Sequence, residues 1–418
     1  MQIHDQPQPA QDTRHAWLPP AAGPQDVDVL VIGAGQAGLA VGWQLREQGV
    51  RSFLLLDAGP EVGHVWRSRW DSLRLFTPSE YDGLPGMPFP APAGTYPTKD
   101  QVADYLRGYA AAFELPVRLN TRVTRLTKTG DTFCADTSTG TVTARHVVIA
   151  TGPFQTPVIP RMARDIAADV AQVHSADYRD PGQLPDGPVL VVGAGNSGLQ
   201  IAAELAVTGA RTVTVAVGTR PPMLPQRLFG RDLFWWLTRL GLMAKTGDSR
   251  LARRLRSKGD PVIGTRWRDL ARLGVQVRPR LERAELRTAV FADGTSGELA
   301  AVVWATGFRT DYAWLDIPDA VVDDTVANER GITRVPGLSI VGLPWLHTRG
   351  SALLGFVKHD AAWLADHVHS ELAAAPSGRH SCPPLRRISA LIPGWNALAG
   401  GSAPRKGVPC SGRWLART

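Results

Sequence analysis

Two glycine clusters carry the clearest chemistry in this sequence. Gly33-Ala-Gly35-Gln36-Ala-Gly38 follows the apolar run Asp28 to Ile32, and Gly193-Ala-Gly195-Asn196-Ser197-Gly198 follows Pro188 to Val192. Each is a G-x-G-x-x-G spacing set between a β-branched run and a helical pattern. The first glycine permits a tight turn. The second lets the backbone approach a pyrophosphate, and the third lets the helix lie close on the strand. The helix N-terminus then offers unpaired N–H groups and a positive dipole end to phosphates. A lone glycine turn is a weak signal, but here strand, turn and helix agree twice. Asp57 ends a second apolar run, Ser52 to Leu56, 24 residues after Gly33. Its carboxylate can accept bonds from both ribose hydroxyls, so the first cluster suits an unphosphorylated ribose, as in FAD. The run after the second cluster, Thr212 to Val217, ends instead in Gly218-Thr219-Arg220. A hydroxyl and a guanidinium pair with a 2′-phosphate that an acid would repel. That favours NADPH over NADH, unless Arg220 is an ordinary surface arginine.

The elements that must position these residues follow from the apolar runs. Val147-Val-Ile-Ala-Thr151-Gly152 and Val302-Val-Trp-Ala-Thr306-Gly307 are two further strands ending in Ala-Thr-Gly. They mark where the chain crosses between a first domain and a second one inserted in it. The expected fold is α/β, with two Rossmann-like dinucleotide-binding domains, the NADPH domain inserted in the FAD domain. Residues 26–156 and 309–375 form the FAD domain and 157–308 the NADPH domain. Residues 1–25 read as a disordered leader and 376–418 as a loosely ordered tail. The proline-rich loop from Pro78 to Pro97 favours turns over helix. Residues 221–274 are too long for a simple connection. They hold Phe234-Trp235-Trp236 and the basic run Arg250 to Lys258. Three readings stay open for them: an excursion packed on its own domain, a lid over a hydrophobic substrate, or a membrane-surface patch. Phe234, Trp235, Trp236 and the proline-rich loop are expected to line an apolar pocket for a small organic, apolar or aromatic molecule.

Composition narrows the rest. A chain of 418 residues predicts two or three domains. Its 46 basic residues exceed 38 acidic ones by 8, and 40 of the 46 are Arg. That bias reads as genomic base composition. With no nucleic-acid motif and no basic groove interleaved with aromatics, no nucleic-acid partner is expected. Three cysteines (Cys134, Cys382 and Cys410) without a C-x-x-C spacing argue against a disulfide framework, a zinc site or a dithiol pair. No metal is expected, and reduced thiols in a cytoplasmic setting are the simplest expectation. No apolar run approaches the ~18 residues of a spanning helix, so no stable membrane insertion is expected.

Further segments carry a resemblance. Leu84-Pro-Gly-Met-Pro-Phe89, Tyr96-Pro-Thr-Lys99, Val191 to Gly198, Ala305-Thr-Gly-Phe308 and Arg349-Gly-Ser-Ala-Leu-Leu-Gly355 stand in the order and wording of one family. Over residues 28–369 the sequence resembles the class B flavin-dependent monooxygenases. It is most similar in pattern to the plant YUCCA-type enzymes and bacterial flavin-containing monooxygenase-like relatives. The resemblance implies FAD on Gly33, Gly35, Gln36, Gly38 and Asp57, with further contacts from Gly63, Trp66, Val123, Thr151 and Gly152. It implies NADPH on Gly193, Gly195, Asn196, Ser197, Gly198, Thr219, Arg220, Thr306 and Gly307. The segment from Gly342 to Leu354 would bring a helix N-terminus to the flavin ring. The implied activity is an NADPH-dependent FAD monooxygenase that places one oxygen atom of O2 on a small organic substrate through a C4a-(hydro)peroxyflavin. The alternative is an NADPH-dependent oxidoreductase or oxidase that does not store that adduct. Two departures bear on this choice. Ala168 and Val170 stand where the interdomain motif has Phe and Gly, leaving His174-Ser175 and Tyr178. His174 is then a linker between domains or a structural histidine. Phe76 stands where animal members carry an Asn near the flavin, with Thr77 beside it. Phe76 and Thr77 are the flavin-proximal candidates, and no catalytic acid or base is assigned.

Overall fold

The computed structural model describes residues 24–374, apart from 208, 210, 248, 250–252 and 255–258. The expected tail and most of the basic run therefore lie outside the described residues. The first sheet begins with β1 (Gln25–Ile32), one residue inside the expected leader. It continues with β2 (Phe53–Leu56), β3 (Val117–Arg118) and the long β6 (Gly140–Ile149), all parallel to β1 or β2. Two antiparallel strands, β4 (Val123–Thr129) and β5 (Thr132–Thr137), lead into β6. Parallel strands covered on both faces read as unbroken apolar runs. Leu54, Leu55 and Leu56 and the run Val29-Leu30-Val31 are buried accordingly. Helix α1 (Gln36–Glu47) lies on one face through Leu39, Val41 and Leu45. Helix α2 (Lys99–Ala112) joins that layer and starts at a capping box, where Thr98 and Gln101 satisfy each other's backbone N–H. The other face is closed by Leu126 and Phe133 of β4 and β5, with Tyr312 and Leu315.

The second sheet is drawn wholly from the middle of the chain. It comprises β7 (Ala171–His174), β8 (Val189–Val192), β9 (Val213–Ala216), β10 (Gln276–Arg278) and β11 (Ala301–Trp304). The order is β10-β9-β8-β11-β7, all parallel. Helix α3 (Asn196–Val207) buries Leu199, Ile201, Ala202 and Leu205 on one face. A small antiparallel sheet closes the other face with Ala284 and Phe291 against Trp304. The chain enters and leaves this region side by side, because Thr156 and Pro157 pair antiparallel with Arg309 and Phe308.

Among the described residues, 221–274 combine helical and strand pieces, including the short helix Trp267–Arg272. They carry α4 (Leu233–Arg239) and two pairs of two-residue strands. Phe234, Leu233 and Met243 pack with Phe76, Tyr81, Leu353 and Phe356, which belong to the chain around the first sheet. Met223, Val262, Trp267 and Leu270 pack instead with the core of the second sheet, so the reading of an excursion packed on its own domain holds for that part of the segment and not for Leu233, Phe234 and Met243. Trp70 makes the reverse crossing and is buried among Tyr178, Leu199 and Ile201.

The chain returns to the first sheet through β12 (Leu338–Ile340), parallel to β6, which completes the parallel order β3-β2-β1-β6-β12. Helix α5 (Lys358–Ala374) then covers α1. Cys134 on β5 is disulfide-bonded, which corrects the expectation of reduced thiols at that position.

The glycine turns are where the fold is tightest. A Cβ on Gly38 would stand 1.9 Å from the Gly33 carbonyl oxygen, whereas one on Gly35 would meet nothing within 4 Å. Gly38→Ala is therefore expected to cost about 3 kcal/mol or more, and Gly35→Ala close to nothing. Thermal melting of the two variants checks this, and equal melting temperatures would refute it.

Candidate functional site

In each parallel sheet the carboxyl ends of the strands open on a crevice, the usual place for a ligand where the strand order reverses. In the first, β1, β2, β6 and β12 deliver Gly33, Asp57, Thr151 with Gly152, and Gly342 to one edge. Gly33 is so close to the end of β6 that a Cβ would sit 2.5 Å from the Ala150 oxygen. Gly342 has φ +80° and meets the start of α1, with a would-be Cβ 2.7 Å from Ala37. Asp57 accepts from two backbone groups, Ala34 N–H at 2.7 Å on one oxygen and Gly59 N–H at 2.7 Å on the other. Each oxygen keeps a lone pair for a further donor. Trp66 donates its indole N–H to Gln36 at 3.3 Å. Gly63 caps the one-turn helix His64–Arg67. Gln155 donates to Thr151 Oγ1 at 2.8 Å and to the Gly152 carbonyl at 3.0 Å, fixing that strand end. Val123 opens β4 and lies against the core on the other face. The Gly342-to-Leu354 segment is loop with a single 3-10 turn, Arg349–Ala352, capped by Thr348. The α-helix begins later, at Lys358, and Leu354 itself is buried.

The second crevice repeats the plan. A Cβ on Gly193 would stand 2.2 Å from the Ala305 oxygen and one on Gly198 2.2 Å from the Gly193 oxygen, while Gly195 faces open space. Ser197 follows on the first turn of α3. Asn196 ties residues 261–263 to the turn, donating to the Pro261 carbonyl at 3.2 Å and accepting from Ile263 N–H at 3.1 Å. Thr219 and Arg220 are exposed at the end of β9, with Arg220 over the Trp267 ring at 5.9 Å. Arg280 joins them, its guanidinium 3.6 Å from a would-be Gly218 Cβ. No spacing in the sequence marks Arg280, because it arrives from β10, the neighbouring strand. Thr306 donates its hydroxyl to the Val158 carbonyl. His174 is buried, accepts from Ala176 N–H on Nδ1 at 3.1 Å, and so donates from Nε2 to Gly307 O at 3.1 Å. Burial pushes its pKa down, so the ring is a neutral clamp.

Between the two crevices lies the segment with Phe76 and Thr77. Phe76 stacks on Phe234 at 6.1 Å, and Tyr81 stacks on Phe356 at 6.2 Å. Gln226 locks this aromatic cluster by donating to the Phe76 carbonyl and to Asp232, both at 2.9 Å. Tyr96 donates to the same Asp232 oxygen at 2.7 Å. Trp235 and Trp236 are half-buried. The cavities of about 360 and 530 Å³ beside Met87 and beside Trp70 involve neither. On a helix, neighbouring residues face different sides, so Trp235 and Trp236 do not share the full burial of Phe234.

Thr77 is buried and donates its hydroxyl to Asp82 Oδ1 at 2.5 Å. The other Asp82 oxygen has no partner among the described residues. Burial pushes the Asp82 carboxyl from 3.8 up to about 7; the Thr77 bond opposes this and Glu80 adds to it. A raised carboxyl pKa means that the neutral acid stabilises the fold. That contribution is full below about pH 4 and is lost as pH rises through about 7. Asp82→Asn keeps the Thr77 bond and cannot ionise. Its melting temperature relative to wild type should climb by several degrees between mildly acidic and mildly alkaline buffer. A constant difference across that range would show that Asp82 does not titrate in the fold.

Comparison with known proteins adds to this geometry. The pyridine nucleotide-disulphide oxidoreductase family is matched over residues 30–222. An uncharacterized CzcO-like oxidoreductase of Geobacillus kaustophilus (strain HTA426) is 44% identical over 345 residues, covering 82% of this chain and 98% of the relative. Indole-3-pyruvate monooxygenase YUCCA8 of Oryza sativa subsp. indica is 30% identical over 352 residues, covering 74% and 82%. The solved structure of a flavin-containing monooxygenase from Stenotrophomonas maltophilia superposes with a TM-score of 0.69 at 29% identity, covering 83% of this chain and 99% of that one.

Proposed function

Because the chain belongs to the class B flavin-dependent monooxygenase-like oxidoreductases, we propose that it is an NADPH-dependent FAD monooxygenase that places one oxygen atom of O2 on a small apolar or aromatic substrate. One observation carries the two-cofactor reading. In both turns the first and third glycines are locked against backbone, while the second opens onto free space. That is a cradle which only a ligand's backbone-hugging phosphates need to be open. Residues 26–156 with 309–375 would hold FAD, and 157–308 would hold NADPH.

In the first crevice the α1 N-terminus would hold the pyrophosphate, and the remaining lone pairs of Asp57 would accept from the ribose hydroxyls. In the second, Arg220 and Arg280 would pair with a 2′-phosphate. A reduced flavin, once bound, supplies the activation of O2. The chain's own contribution is to position and to dry the site. Phe76, Tyr81, Phe234 and Phe356 give an apolar roof that excludes water and suits aromatic substrates. The rice relative is named for indole-3-pyruvate, an aromatic acid, which supports the same class. Thr77 is committed to Asp82 and adds no free donor at that roof.

Arg220→Ala is expected to raise KM for NADPH about tenfold or more and to leave KM for NADH nearly unchanged, with Arg280→Ala adding to the loss. Equal effects on both coenzymes would sink the phosphate assignment. Oxygen insertion is tested by supplying 18O2 and NADPH with a panel of aromatic 2-oxo acids, sulfides and ketones. Product carrying one labelled oxygen, with less than one H2O2 per NADPH, is the expected result. One H2O2 per NADPH for every compound would favour an oxidase instead.

A further inference from the structure

The outward side of residues 223–246 takes no part in the proposed chemistry. A hairpin pairs Arg227 and Leu228 with Asp232 and Arg231, and its tip is Phe229-Gly230. Phe229 is 84% exposed and held at φ +49°, a left-handed backbone that bulky residues rarely adopt. Leu228 is 39% and Leu240, just after α4, 62% exposed. Behind the tip, Phe229 meets the Trp236 ring edge at 6.2 Å and Trp236 meets Trp235 at 4.7 Å. Trp236 is fixed by its N–H bond to the Leu228 carbonyl at 2.9 Å. These aromatics are therefore built into place rather than left loose.

Charge surrounds them with one sign. From 219 to 246 the sequence has five basic residues (Arg220, Arg227, Arg231, Arg239 and Lys245) and one acid, Asp232. That acid is buried and turned inward, accepting from Tyr96, Gln226 and the Phe234 N–H. Arg231 lies over the Trp235 ring at 5.4 Å, while Arg227, Arg231 and Arg239 are exposed. A protruding Phe and Leu, backed by tryptophans and ringed by arginines, is complementary to the headgroup layer of an anionic bilayer. There the rings enter the interface and the guanidinium groups meet lipid phosphates. No described helix is long and apolar enough to cross a membrane.

We infer that this hairpin and the outer face of α4 dock the protein reversibly on anionic lipid surfaces. The same helix roofs the Phe76 segment with its inner face, so docking would bring that roof to the lipid. Docking of this kind rests on the surface alone and does not depend on the oxygenase activity.

The test uses the full-length protein and two kinds of vesicle, phosphatidylcholine alone and phosphatidylcholine mixed with phosphatidylglycerol. Sedimentation with the anionic vesicles at low salt, and release at high salt, is the expected result. Phe229→Ser should weaken that binding about tenfold, and Arg231→Glu by a similar factor. Both should keep the wild-type melting temperature and NADPH oxidation without lipid, since both side chains lie at the surface. The inference fails if neither vesicle binds, if both bind equally, or if Phe229→Ser binds like wild type. It also fails if the surface takes an acidic protein or a nucleic acid in preference to the anionic vesicles.

Discussion

The close seating of each glycine turn under its helix is the constraint on which the rest of the structure depends. The Gly33 oxygen lies 1.9 Å from where a side chain on residue 38 would begin, and the Gly193 oxygen 2.2 Å from the same point on residue 198. The helix can sit that low only because no Cβ intervenes. Seated there, its first N–H groups come level with the carboxyl ends of the strands, and a phosphate can reach them. The same approach brings Gly342 against α1 and joins the returning chain to the first crevice. Raising either helix by the width of a methyl group would disturb the turn, the strand end beside it and the crevice together.

The two crevices are held to each other by a bridge that is half polar and half aromatic. Asp232 gathers Tyr96, Gln226 and the start of α4, while Phe234 enters the rings of Phe76, Tyr81 and Phe356. Burial lifts the Tyr96 hydroxyl to about 12, so it stays a donor to Asp232 at any ordinary pH. The paired crossovers at Thr156-Pro157 and Phe308-Arg309 set the hinge side of the same junction, and His174 pins it from below. A roof made in this way joins parts of the chain some 150 residues apart, such as Phe76 and Gln226. It is also the natural place for substrate selection in the activity proposed.

The two glycine turns and the strands before them were legible in the sequence. Gly33, Gly193 and Asp57 lie just past strand ends, and Gly35, Gly38, Gly195 and Gly198 lie in the turns and first helical turns that follow, as their spacing predicted. Steric demand at a turn is local, so residue type and interval express it directly. The apolar runs of β1, β2 and β8 were readable for the same reason, since a strand covered on both faces needs apolar side chains at every position.

What only the tertiary structure decided lies between those elements. Arg280 reaches the Arg220 neighbourhood because β10 is the neighbour of β9, a matter of sheet order that no interval records. Thr77 reads as a free hydroxyl until Asp82 is seen to accept its hydrogen bond, and Asp82 has no motif around it. Phe234, Trp235 and Trp236 are alike in the sequence, yet one is buried within the aromatic cluster and two are only half-buried. Their fates were settled by which surface the segment met across the crevice. Local geometry is written in neighbouring residues, whereas contacts between distant segments depend on where the whole chain brings them.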